Sequence, residues 1–197
     1  GGMGIRGQML IKLLPTVIIA TVILTVVSAI NSKNTICDEI QNTMKSELQS
    51  NSNEINADLE IVRSQAINLA REVSIYYKST PMDVFKTSFS SAIKSSSIIN
   101  GAGIWFEPNA YNAAERYMGP YWYKDGDNIV ETWEYSNAEY DYFSQEYYTN
   151  AAKMKEGTAQ ITDPYYDESS KTVMATCSAP IFSNGQYIGC VTCDISL

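Results

Sequence analysis

The sequence predicts an α+β fold in which a long N-terminal helix packs on a central antiparallel sheet accompanied by short helices. Three observations lead there. Residues 34–78 contain neither proline nor glycine and carry apolar side chains every seven residues. Two β-rich runs, Val173 to Ile181 and Tyr187 to Ile195, flank Asn184-Gly185, the favoured two-residue hairpin turn. Between these ends, short aromatic strand-like runs alternate with turn residues.

The chain has 197 residues. Its first eight, with Gly1-Gly2 ahead of Met3 reading as a tag remnant, are expected to lie in the cytoplasm. Leu13 to Ile30 is an 18-residue run without a charge. It extends back to Met9 if Lys12 snorkels to the interface, and at about 1.5 Å per residue it reaches about 27 Å, enough to cross the hydrocarbon core once the flanks are added. Residues 9–30 are therefore expected to form a transmembrane helix. A cleaved signal peptide is the alternative, opposed by the length and by the absence of a clean small-x-small site after Ser28. Arg6 and Lys12 precede the span, so everything after it is expected outside the cell, anchored in the inner membrane.

Residues 31–80 are read as a stalk and dimer helix. Leu48, Ile55, Val62, Leu69 and Tyr76 recur every seven residues, and Leu59, Ala66 and Val73 supply a second seam. A helix of about 45 residues would run to about 68 Å, longer than a small domain can cover, which suggests a homodimer through this helix. Packing on its own domain alone is the other possibility. Residues 81–197 then form the globular module. Thr80-Pro81-Met82-Asp83 reads as a cap, a proline at the first helical position and an acidic first turn, opening a helix with Phe85, Phe89 and Ile93 on one face. Ile104 to Phe106 is a strand. Tyr121 to Tyr123 and Ile129 to Tyr135 form a hairpin about Asp125-Gly126, and residues 141–154 suit a short helix. In the last hairpin, pairing Ser183 with Gln186 would set Cys177 opposite Thr192 and place Cys177, Cys190 and Asp194 on one face, with Cys193 on the other.

Charge and composition narrow the function. Residues 98–197 hold 5 basic and 14 acidic side chains, so nucleic acid is not an expected partner. The same half carries all three tryptophans and 12 of the 14 tyrosines, more amphipathic ring surface than a minimal core needs. A pocket explains the excess; a tyrosine-rich core and rim is the plainer alternative. No histidine is present, which removes the commonest metal ligand and general base. Cys190 and Cys193 have CxxC spacing, but positions three apart on a strand face opposite sides, which weakens a zinc or redox site. No catalytic residue, metal or cofactor is expected.

The run Tyr140-Asp141-Tyr142, Tyr147-Tyr148, Asp163-Pro164-Tyr165-Tyr166-Asp167, Ser178-Ala179-Pro180-Ile181-Phe182, Asn184-Gly185 and Ile188 to Leu197 resembles the membrane-distal half of a double Cache, PAS-like sensor domain. Such domains occur in methyl-accepting chemotaxis receptors and sensor kinases, and Gly4-Ile5-Arg6 with the apolar run is similar to a chemoreceptor start. The resemblance implies a small-molecule site between the sheet and the loops across it. It also implies a second, membrane-proximal subdomain, another membrane span and a cytoplasmic output beyond residue 197.

Amino-acid-binding members use a tyrosine, an Arg-x-Trp-Tyr run, a Tyr-x-Asp and a final aspartate. The resemblance maps these onto Tyr140, onto Gln145 with Tyr147 and Tyr148, onto Tyr165 and Asp167, and onto Asp194. Two positions depart from the pattern: Gln145 stands in place of the arginine, and Tyr147 in place of the tryptophan. Arginine offers a carboxylate a charged fork, which a neutral amide does not. The acidic half of the site remains, so the expected ligand is a small amine, with an α-amino acid as one possibility. For Asp194 a turn or sheet-edge role is the alternative, and Asp163 is read as a turn starter. Two other functions compete: an adhesion or assembly module on a membrane stalk, and a hydrolase built on Asp167 and Asp194, which lacks a partnered nucleophile.

Overall fold

The computed structural model describes residues 21–22, 35–46, 53–168 and 171–197. The membrane span expected at 9–30 lies outside the described residues apart from 21–22, and among the described residues no helix is long and apolar enough to cross a membrane. Helix α1 covers 35–46 and α2 covers Asn53–Tyr76. Leu48, the first heptad position, also lies outside the described residues.

Helix α2 buries Val62, Ala66, Leu69, Ala70, Val73 and, one residue past its end, Tyr77. The spacing follows 3.6 residues per turn, as expected of a straight helix on its own sheet. A strict seven-residue repeat drifts off that stripe, and this corrects one position: Tyr76 is 50 % exposed and Tyr77 takes the core place. Ser74 donates its hydroxyl to the Phe182 carbonyl, pinning the end of α2 to the last hairpin.

Helix α3 spans Met82–Ser95 and buries Phe85, Phe89 and Ile93, as their i, i+4, i+8 spacing predicts. It starts one residue later than the sequence suggests. Pro81 is the cap residue, without a side-chain cap bond, and its carbonyl accepts from the Val84 amide. Phe89 packs against Trp122 with ring centroids 5.0 Å apart. Burying each such ring stabilises the fold by roughly 1.5–3 kcal/mol.

Seven antiparallel strands follow: β1 (Ile99–Phe106), β2 (Tyr121–Asp125), β3 (Asn128–Thr132), β4 (Gln160–Ile161), β5 (Tyr165–Asp167), β6 (Thr172–Ser183) and β7 (Gln186–Ser196). Their order is β3-β2-β1-β7-β6-β4, with β5 also on β6. Strand β1 begins five residues earlier than expected. The β2–β3 turn is Gly126-Asp127, because Asp125 pairs with Asn128, and β3 stops at Thr132 rather than Tyr135. The helix expected over 141–154 resolves into a 3-10 turn, Tyr142–Ser144, and α4, Glu146–Ala151.

The last hairpin turns at Asn184 (φ 51°) and Gly185 (φ 76°), and Ser183 pairs with Gln186 as expected. The register then shifts. Phe182 pairs with Tyr187 but Ile181 pairs with Gly189, so Ile188 is an extra residue in β7. This bulge corrects the facing of the cysteines: Cys177 pairs with Cys193, and Thr176 pairs with Asp194. One face of the sheet, carrying Ala175, Cys177, Ala179, Val191, Cys193 and Ile195, forms the main core with α2 and α3. The opposite face carries Cys190 and Trp105 under Tyr142 and Tyr148. All four cysteines are free thiols.

Candidate functional site

The second face is hollow over its centre. A cavity of about 210 Å³ is lined by Trp105, Tyr121, Tyr135, Tyr140, Tyr147, Tyr165, Thr176, Thr192 and Asp194. Its floor comes from the central strands: Trp105 from β1, Tyr121 from β2, Thr176 from β6, and Thr192 and Asp194 from β7. Tyr135 and Tyr140 reach in from the segment after β3, Tyr147 from α4, and Tyr165, 42 % exposed, stands at the rim on β5.

Small residues make room for these rings. A Cβ at Gly101 would stand 2.1 Å from the Tyr121 hydroxyl, and one at Gly119 would stand 2.8 Å from the Trp105 ring. Trp105 donates its indole N–H to Thr192 Oγ1 at 2.7 Å, which fixes the plane of the floor. Its ring centroid lies 5.2 Å from Tyr147, 6.1 Å from Tyr135 and 6.2 Å from Tyr121. Beside the cavity in the same aromatic layer, fully buried Tyr142 donates to the Phe106 carbonyl and accepts from the Met118 amide, tying the loop to β1.

Asp194 holds the only formal charge on the lining. Its Oδ2 accepts from the Tyr121 hydroxyl and its Oδ1 from the Thr176 hydroxyl at 2.7 Å. Burial raises its pKa above the usual carboxylate value, and these two hydroxyls pull it partly back. The same burial, with Asp194 beside it, holds Tyr121 well above the ordinary phenol value. Burial also raises Tyr140 and Tyr165, so all three rings stay neutral at physiological pH. The result is a pocket of neutral hydroxyls and ring faces around one carboxylate, with no Lys or Arg on its lining. Such a surface attracts a cation and offers an anion no counter-charge.

Of the seven residues that the sequence points to, Tyr140, Tyr147, Tyr165 and Asp194 share this cavity. The other three stand outside its lining. Tyr148 is buried in the same aromatic layer and donates to Glu107 Oε1 at 2.7 Å. Gln145 caps α4, its carbonyl accepting from the amides of Tyr148 and Thr149 and its side-chain amide donating to the Tyr140 carbonyl at 3.3 Å. Asp167 pairs with Thr172 two residues beyond Tyr165, on the cavity face of the sheet but past the rim. Trp105, Tyr121, Tyr135, Thr176 and Thr192 escaped sequence reasoning. The alternation Gly101, Gly103, Trp105 on β1, small residues leading to one large ring on the same face, is the signal that could have found the floor. Among the described residues no cluster of three or more His, Cys, Asp or Glu side chains is placed to hold a metal ion.

Residues 85–197 match the family model of the methyl-accepting chemotaxis protein-like first PDC sensor domain. The chain belongs to this sensor family. Among solved structures, this sensor domain is similar to methyl-accepting chemotaxis protein X, at 25% identity and TM-score 0.55 over 81% of the chain. It is also similar to the extracellular domain of a candidate histidine kinase, mmHK1S-Z2, at 20% identity, TM-score 0.53 and 85% of the chain. A third is the ligand-binding domain of the Campylobacter jejuni chemoreceptor Tlp3 in complex with 4-methylisoleucine, at 14% identity, TM-score 0.52 and 84% of the chain. The sensor domain spans 63%, 60% and 59% of these chains respectively. No curated protein gives a significant match. The α+β fold with its seven-stranded antiparallel sheet is the PDC, or Cache, sensor fold, and the chain is a chemoreceptor-like extracellular sensor domain.

Proposed function

We propose that the tyrosine-walled cavity binds a small ligand through an ammonium group, with Asp194 as its counter-charge. The observation that carries this is the lining itself, one carboxylate among six aromatic rings with no basic side chain. Tlp3, similar in fold alone, is seen with an amino-acid derivative. Here Gln145 stands where the family pattern places arginine, and its amide is turned to the Tyr140 carbonyl. The amine end of such a ligand is the end this pocket can recognise.

Transmission of occupancy follows the packing. Thr176 and Asp194 face the cavity from β6 and β7, while Ala175, Cys177, Val191, Cys193 and Ile195 on the same strands face the core that holds α2. A ligand that draws Asp194 and Thr176 toward its ammonium group biases these strands against α2, and the helix carries the bias toward the membrane. Such coupling requires unequal ligand affinity for two arrangements of the domain. An apolar anchor at 9–30 and a dimer through the helical segment at 31–80 complete the receptor as proposed. Chemotaxis is the output that the family favours.

Calorimetric titration of the purified chain against a panel of amines and amino acids tests the reading. A ligand bearing an ammonium group is expected to bind, and Asp194→Ala to weaken it at least tenfold. A tight ligand without a positive charge, or affinity unchanged in Asp194→Ala, rejects it.

A further inference from the structure

Strand β4 covers β6 only at Cys177 and Ser178, so the stretch of β6 from there to the hairpin turn has an edge without a strand partner. Backbone groups along an antiparallel strand alternate in direction. The Val173 carbonyl accepts from Leu197 at the end of β7, whereas Thr176 exchanges bonds with Thr162 on the other side. The Phe182 carbonyl likewise turns away from β7 and accepts from Ser74 of α2. Odd positions of β6 therefore address β7 and even positions address the edge. The Pro180 carbonyl and the Phe182 N–H point there, and among the described residues no other segment's backbone bonds them. Each is an obligatory hydrogen-bonding group that needs a partner out of water.

This edge forms one wall of a cleft of about 190 Å³, bounded by α2 and by the turn from Lys155 to Thr158. It shares no lining residue with the tyrosine-walled cavity. Ile67, Ala70, Pro180 and Phe182 give it an apolar floor. The turn is closed by the Thr158 N–H on the Lys155 carbonyl at 3.3 Å, with Gly157 at φ 76°, a conformation that glycine adopts without strain. Glu156 stands on the lining from this turn and Arg71 from α2. Neither side chain has an ion pair or hydrogen bond among the described residues. The two walls thus offer one free guanidinium, one free carboxylate, one backbone donor and one backbone acceptor. A bare anion drawn to Arg71 meets Glu156, and a bare cation drawn to Glu156 meets Arg71; a molecule carrying both charges satisfies both. The volume lies below the roughly 300–1,000 Å³ of sites for drug-sized ligands, which restricts the occupant to a small molecule.

We infer that this cleft is a second ligand site, which takes a small zwitterion with an apolar body. Its carboxylate is held by Arg71 and the Phe182 N–H, its ammonium group by Glu156 and the Pro180 carbonyl, and its body rests on Ile67 and Ala70. An occupant ties α2 to the connection between α4 and β4, and so acts on the helix without passing through the sheet.

Valine and its two one-charge analogues, isobutylamine and isovalerate, test this by calorimetric titration. The three are compared in Asp194→Ala, where the other cavity has lost its charge, and valine is titrated again into the parent chain. Valine is expected to bind at least tenfold more tightly than either analogue in Asp194→Ala. Arg71→Met, which keeps the aliphatic stem, and Glu156→Gln, which keeps the shape, are each expected to weaken the Asp194-independent binding at least tenfold. Both residues are exposed, so thermal melting of the variants is expected to match that of their parents. Either analogue binding as tightly as valine overturns the inference, as does valine affinity unchanged in Arg71→Met or Glu156→Gln. No binding of valine to either folded chain overturns it as well. The ammonium reading of the other cavity is judged separately, on simple amines in the parent chain, which this cleft does not hold.

Discussion

Asp194 is placed by an interior strand where water is scarce, and its charge is supported by two hydroxyls alone. Burial raises its folded pKa above the ordinary 3.8, so folding favours protonation of this group relative to the unfolded chain. The sign of the linkage follows: this group's contribution to stability is full below about 3.8 and is lost as pH rises through the raised folded value. Thermal melting of the parent and of Asp194→Asn should therefore show the parent's relative advantage shrinking as pH rises across that window. A cationic ligand reverses the balance by favouring the carboxylate. Its affinity should fall as pH falls through the raised value, whereas Asp194→Asn should bind weakly at every pH. Thiols offer an independent check at the same scale. Burial pushes the Cys177 thiol up to about 12 and raises Cys190 and Cys193, all three buried. A thiol reagent added to native protein should leave these three unmodified until denaturant is added. The resemblance to the sensor family pointed to Tyr140, Tyr147, Tyr165 and Asp194 of this cavity. It missed Trp105 and Tyr121 because a strand residue's neighbours come from distant segments, and only the pairings of β1 with β2 and β7 set those rings beside Asp194.

The bulge at Ile188 decides which chemistry β7 presents. Without it Cys177 would oppose Thr192; with it Asp194 and Thr192 stand over the cavity while Val191, Cys193 and Ile195 enter the core. A bulge leaves no trace in a hydrophobic alternation read from the turn outward, and this is why the hairpin was legible but the facing of Cys177 was not. Gly189, beside the bulge, has φ 148°, and a Cβ there would meet the Trp105 carbonyl oxygen at 2.3 Å and Phe106 Cα at 2.8 Å. Both obstacles are backbone, so Gly189→Ala must part β1 from β7 or abandon the conformation. A loss of at least about 2 kcal/mol in denaturant unfolding is expected from strain of roughly 1–3 kcal/mol plus the clash. Helix α3 was read accurately because two rings and one aliphatic side chain at four-residue spacing, Phe85, Phe89 and Ile93, admit only one buried face. Phe89→Ala should cost about 3–5 kcal/mol by the same measurement, since Phe89 is fully buried against Trp122. Helix α2 was legible at four of its core positions, Val62, Ala66, Leu69 and Val73, and failed only at the last, where 3.6 residues per turn carries the buried stripe from Tyr76 to Tyr77.

At the scale of the whole molecule, the sheet separates two environments. One face is a closed aliphatic core against α2 and α3; the other is an aromatic layer with a charged hollow. Strands β6 and β7 belong to both, which is the physical basis for coupling a ligand to the helix. The α+β class was legible because the helical and strand patterns lie in different parts of the chain. The strands β4 and β5 were not, being only two and three residues long and held to the edge of β6 by tertiary pairing. The central claim is that the hollow recognises a positive nitrogen beside Asp194. A crystal structure of the chain with a bound amine identified from the panel tests it most directly. The account predicts the nitrogen among the rings of Trp105, Tyr135 and Tyr147, within about 6 Å of their centroids, on the side of Asp194. A ligand seated in another hollow, or in this one with an uncharged or anionic group against Asp194, would contradict it.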